Sequence, residues 1–72
     1  MDEWKARMVE EYKQVRDRAE RLRITVFEQE EGTAQNSERE LHLMRKQLDA
    51  METYMCCLMR RAARNGIDLR NV

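Results

Sequence analysis

Proline is absent from this 72-residue chain, glycine occurs twice, and there is a single histidine. Without proline nothing forces a break in a helix, and two glycines leave few points for a sharp reversal. Long uninterrupted helices are therefore expected over about 75 to 80% of the residues. The two cysteines, Cys56 and Cys57, are adjacent. Vicinal thiols on a helix are poorly placed to bridge each other, so they read as reduced, buried or half-buried small residues. A zinc site needs more ligands at suitable spacing, and His42 lies about four helical turns from the cysteines, so neither metal nor cofactor is expected. No apolar run approaches the roughly 18 residues of a membrane span, and no charged-then-apolar leader with a small-residue cleavage site is seen. The expectation is a protein neither exported nor membrane-spanning, in a reducing cytoplasmic compartment. Basic and acidic residues balance at 14 each. Broad binding of duplex nucleic acid through counterion release has little support from a net charge of zero. No serine-histidine-acid set and no glycine-rich phosphate loop is present, so an enzyme is not expected.

What the chain does have is periodicity. Leu41, Met44, Leu48, Met51, Met55, Leu58 and Ala62 form a ladder whose spacings alternate three and four. That is the seam by which one helix buries a stripe against another. Trp4, Met8, Val15, Ala19, Leu22 and Val26 follow nearly the same rhythm, with Glu11 at one seam position and Tyr12 beside it. With 42% hydrophobic and 39% charged residues, the chain has material for one small domain, residues 1–72. Ordering each residue costs roughly 1.5 kcal/mol, which a two-helix contact offsets with little margin, so oligomerisation is expected.

The boundaries are written in the caps. Helix one is expected over 2–28, with Asp2 and Glu3 near the positive end of its dipole. The segment 29–36 contains Gly32, Thr33 and Asn36, has no seam residue, and is the expected reversal. Ser37 opens helix two, expected over 37–65, because Glu40 stands three residues after it in a capping box. Asn65-Gly66 closes that helix, with Ile67 placed to fold back on the last turn.

The fold class is therefore all-α: an antiparallel helical hairpin that oligomerises through coiled-coil-like packing into a helical bundle. Such a hairpin brings the Trp4 end against a basic end, where Arg60, Arg61, Arg64 and Arg70 face only Asp68. Arg16, Arg18, Arg21 and Arg23, interleaved with Asp17 and Glu20, read as a solvated face with local pairing. Ile24, Phe27, Leu43, Ala50, Tyr54 and Cys57 lie beside or away from the seam and widen the apolar surface beyond what two helices cover. A second hairpin is the expected partner, with the six methionines filling irregular gaps.

The series Trp4, Lys5, Arg7, Met8, Glu11, Tyr12, Val15, Arg18, Arg21 and Leu22, with Gln47, Leu48, Met51, Tyr54 and Leu58 later, resembles small helical-hairpin proteins encoded by phages and prophages. In the second helix, Arg39-Glu40, Leu43, Leu48-Asp49 and Tyr54 resemble the hairpin domain of phage sponge proteins of the anti-CBASS and anti-Thoeris group. That resemblance implies an oligomer that sequesters a cyclic nucleotide immune signal, a cyclic oligonucleotide or a cyclic ADP-ribose-type molecule, without turnover. Arg39, Lys46, Arg60, Arg61 and Arg64 would then hold phosphates, and Trp4, Tyr12 or Tyr54 would stack on a base. Each has a plainer role as well: Arg39 as a solvated first-turn residue, Trp4 and Tyr12 as core. The rival reading is a dimeric coiled-coil module that docks on a host or phage protein.

If the seam assignment is right, Met51→Glu dissociates or unfolds the assembly by placing a charge in it. Sedimentation and circular dichroism check this, and a well-folded Met51→Glu oligomer would refute the seam.

Overall fold

The computed structural model describes residues 2–32 and 37–72. Two long helices, α1 (Glu3–Glu30) and α2 (Glu38–Arg64), precede a single 3₁₀ turn at Leu69–Asn71. They pack antiparallel. Contacts pair the start of one with the end of the other: Glu11 meets Tyr54, Arg23 meets Glu52, and Glu30 meets Arg45. The result measures 45 × 16 × 16 Å with a radius of gyration of 14.9 Å. A sphere-like domain of this length would have about 11 Å, so the molecule is a rod two helices thick.

Cap chemistry sets the ends. The Asp2 carbonyl accepts from the N–H groups of Lys5 and Ala6, and Glu3 occupies the first turn. Helix α1 runs two residues beyond the expected 28, because nothing in Gln29-Glu30 disfavours a helix, and it stops where Gly32 takes φ +74°. Of the expected reversal, residues 33–36 lie outside the described residues. At the start of α2, Ser37 Oγ accepts from the Glu40 N–H at 3.2 Å, the serine half of the capping box. At its end, Gly66 sits at φ +75°, the Ile67 N–H donates to the Ala62 carbonyl at 2.9 Å, and the Gly66 N–H donates to that of Ala63 at 3.2 Å. These two bonds are the Schellman pair, and they turn the chain back on itself.

The expected ladder of α2 faces α1 throughout. Met44, Leu58 and Ala62 are buried, and Leu41, Leu48, Met51 and Met55 are half-buried. On α1 the buried positions are Met8, Tyr12, Ala19 and Val26. Tyr12, not Glu11, fills the seam at that turn. Trp4 departs from its expected seam position and stands 42% exposed. The reason lies opposite: α2 ends at Arg64 and the chain turns at Gly66, so no helix continues far enough to cover the indole. The space beside Met8 and Tyr12 is taken instead by the tail, whose Leu69 is buried with them, Leu58 and Ala62. Asp68 fixes that tail by accepting from the Arg70 backbone and guanidinium and from the Asn71 amide.

Two further expectations change. Cys56 and Cys57 are both exposed and free, because at 100° per residue they straddle the face of α2 opposite the seam. Arg23 is not merely solvated: it links Glu20 at 2.7 Å on its own helix to Glu52 at 3.1 Å on the other. Arg45 and Glu30 form a second strut at 2.9 Å, and Arg16 reaches the Val72 carbonyl. Exposed pairs of this kind add up to about 1 kcal/mol each, so they set register more than stability.

Leu58 lies at the centre of the open-end cluster and is 2% exposed. Leu58→Ala is expected to cost about 2–5 kcal/mol and to lower the melting temperature by more than 10 °C. A thermal melt that does not move would mean the helices fail to pack there.

Candidate ligand-binding site

The proposed phosphate and base residues fall almost entirely on α2, but along its whole length. Arg39 and Lys46 occupy the first half, Tyr54 the middle, and Arg60, Arg61 and Arg64 the last turns. At 1.5 Å per residue, Arg39 stands about 33 Å from Arg61, so one chain does not bring the two basic groups together. What they share is a direction. Arg39, Lys46, Tyr54, Arg61 and Arg64 lie within an arc of about 80° on one flank of the helix, well off the seam. Arg60 sits on the outer edge, beyond that arc.

The two aromatic candidates of α1 are placed differently. Tyr12 is buried in the core, with the Arg16 guanidinium 6.0 Å from its ring. Trp4 is accessible, with the Lys5 ammonium 5.6 Å from the indole centroid.

Tyr54 is the aromatic ring most open to a ligand on the basic flank, at 46% exposed. Together with Glu11, Cys57, Leu58 and Arg61 it lines a shallow, mostly apolar depression. Its hydroxyl donates to Glu11 Oε1 at 2.6 Å. That hydrogen bond to a carboxylate favours the neutral phenol and raises its pKa above the ordinary 10.0; desolvation and the Glu11 charge add to the rise, while nearby Arg61 opposes it. The bond ties the hydroxyl end of the side chain to α1 while nearly half of the residue stays exposed to solvent. It also explains Glu11, which looks like an intruder in the seam of α1. Sequence reasoning missed this role, although a carboxylate at a seam position is the kind of anomaly that signals a specific partner.

The electrostatics are uneven. Arg23, Arg45 and Arg70 are consumed by carboxylates, whereas among the described residues Arg60, Arg61 and Arg64 form no ion pair. A second hollow, lined by Met59, Arg60, Ala63, Ile67 and Leu69, has Arg70 at its rim. Arg70 holds the Asp68 carboxyl below its ordinary pKa and is itself raised by it, so its charge is spent locally. Among the described residues no three histidine, cysteine or acidic side chains converge as a metal site would require, and no helix is long and apolar enough to cross a membrane. Unpaired guanidinium groups beside an exposed ring can grip an anion and stack on a planar group.

A raised phenol pKa stabilises the fold below about pH 10, and that contribution is lost as pH climbs through the folded value. In an alkaline absorbance titration Tyr54 should ionise above 10.0, and Glu11→Gln should bring it back toward the ordinary value. An unchanged titration would mean that the bond across the helices is absent in solution.

Comparison with known proteins returns one family: Sequestin, over residues 2–64. No curated protein and no solved structure matches the chain. The family's name denotes sequestration, a binding role rather than a catalytic one. The match takes in the whole of α1 and α2, and on this ground the chain belongs to the Sequestin family.

Proposed function

We propose that this protein is a phage-encoded, oligomeric binder that sequesters a cyclic nucleotide immune signal in the cytoplasm of a bacterial host, without turning it over. The observation that carries this reading is the pairing, on one flank of α2, of an exposed ring at Tyr54 with unpaired guanidinium groups at Arg61 and Arg64. Membership of the Sequestin family supports a sequestering role, and the likeness of α2 to the sponge hairpin supports the ligand class. In this reading Arg39, Lys46, Arg60, Arg61 and Arg64 serve the phosphates. Tyr54 stacks on the base, with Trp4 as a second accessible ring, while Tyr12 supports the site from the core. Nucleotides suit such a surface because their phosphates accept bidentate guanidinium bonds and their bases offer a flat π-face to the phenol.

The second reading, a dimeric coiled-coil module that binds a host or phage protein, is favoured by the exposed apolar side chains Ile24, Phe27 and Leu43 near the closed end of the hairpin.

The test is a thermal-shift and calorimetric screen against cyclic di- and trinucleotides and cyclic ADP-ribose isomers. A ligand bound only by the native state raises its stability by about 2.7 kcal/mol at one hundred times its Kd. For a domain of this size that is a shift of more than 10 °C. Flat curves with every nucleotide would overturn the sponge reading and leave the protein-binding module.

A further inference from the structure

Beyond the seam, α2 carries a second ladder on its outer flank: Arg39, Leu43, Lys46, Ala50, Tyr54, Cys57, Arg61 and Arg64. Its steps are four, three, four, four, three, four and three, so the residues stay on one side of the helix for seven turns. All eight are exposed, Leu43 by 51% and Tyr54 by 46%. Reversing the order matches the basic ends, Arg39 with Arg64, and the centre, where small Ala50 stands next to large Tyr54; between them Leu43 falls opposite Arg61 and Lys46 opposite Cys57.

We propose that this flank pairs with the same flank of a second copy of the chain, antiparallel about a two-fold axis between Ala50 and Tyr54, and that the ligand site is completed by the partner copy. The proposal rests on the oligomeric-binder reading given above and assigns it a surface and a geometry. An antiparallel two-fold sets Ala50 of each copy against the Tyr54 ring of the other, so that small meets large at the close approach. It also lays the start of each α2, with Glu38 and Glu40, alongside the partner's last turns, with Arg61 and Arg64, and opposes the two helix dipoles favourably. Parallel pairing would instead stack the basic turns on one another.

The same operation repairs what a single chain cannot do. Arg39, about 33 Å from Arg61 within one chain, comes beside Arg61 and Arg64 of the other copy. Each end of the paired flanks then gathers three guanidinium groups against Glu38 and Glu40, a net positive charge that Lys46 increases and an anionic ligand neutralises. Two equivalent sites follow from the symmetry, each within reach of Lys46 of one copy and Tyr54 of the other. A nucleotide carrying two or more phosphates spans such a site.

Sedimentation equilibrium of the wild-type chain and of Ala50→Glu, with circular dichroism of both, tests the surface. A wild-type assembly built on dimers, at least tenfold weakened by Ala50→Glu with helicity retained, is the expected result. Cys57→Arg, also on the exposed flank, gives the same reading if Ala50→Glu folds poorly. Orientation is read from a spin label on His42→Cys, which lies off the paired flank, in a Cys56→Ser/Cys57→Ser chain. The antiparallel pair places the two labelled positions about 30 Å apart, and a parallel pair about 10 Å. A monomeric wild type, an oligomer indifferent to both substitutions, or the shorter distance overturns the proposal. If a cyclic nucleotide binds to a monomer, this pairing falls and only the sequestering part of the reading above stands; if the antiparallel dimer forms and binds no nucleotide, the pairing stands and the nucleotide reading falls.

Discussion

Two helices can share only one seam, and the rest of this molecule is arranged around that limit. A third helix would enclose side chains from several directions; here each seam residue is covered by the opposite helix alone. The consequence is visible in which residues reach full burial. Ala19 and Ala62 do so because they are small, and Leu58 and Leu69 because the tail folds over one end. Elsewhere Leu41, Leu48, Met51, Met55, Val15 and Leu22 remain half-open. Methionine suits such a seam, since an unbranched thioether lies along an incomplete contact better than a stiff β-branched side chain.

Because burial is scarce, specificity has been delegated to directional contacts at the margins. On one edge Arg23 and Arg45 reach across to Glu52 and Glu30; on the other Tyr54 reaches Glu11. None of these exposed pairs carries much free energy. Their joint effect is on register: a shift of α2 by one turn would break all three while leaving an apolar ladder that could re-form against its neighbours. The Asp68 cluster shapes the tail into its 3₁₀ turn, and Arg16 ties the end of that tail to α1 through the Val72 carbonyl, so that Leu69 closes the open end where the ladder of α2 has run out.

Much of this architecture was legible in the sequence, and the parts that were not share a cause. The alternation of three and four in α2, the serine cap and the glycine stop are local signals, each complete within a few residues, and each appears where local chemistry puts it. Trp4 kept the right spacing for a seam but had no helix opposite it, a fact set by where Gly66 turns the chain about sixty residues later. Cys56 and Cys57 are small apolar residues, and composition favours burying them; angular position on a two-helix rod does not. The Glu11 to Tyr54 bond pairs residues 43 apart, and nothing in either neighbourhood announces the other. Of the candidate site, the sequence supplied the residue types and the structure supplied their common flank.

The same limit that leaves the core thin also frees the outer flank of α2. A helix inside a larger bundle spends its second and third faces on packing, and its basic residues are then confined to the rim. Here the face opposite the seam is unspent, so arginines at both ends and an aromatic ring at the middle can share it without disturbing the fold. The one geometric fault of that arrangement is distance, since a straight helix holds its ends apart. Symmetry is the least demanding correction, because an antiparallel copy brings opposite ends together with no change in either chain. A rod too thin to enclose a ligand can in this way build an enclosure from the surface it was unable to bury.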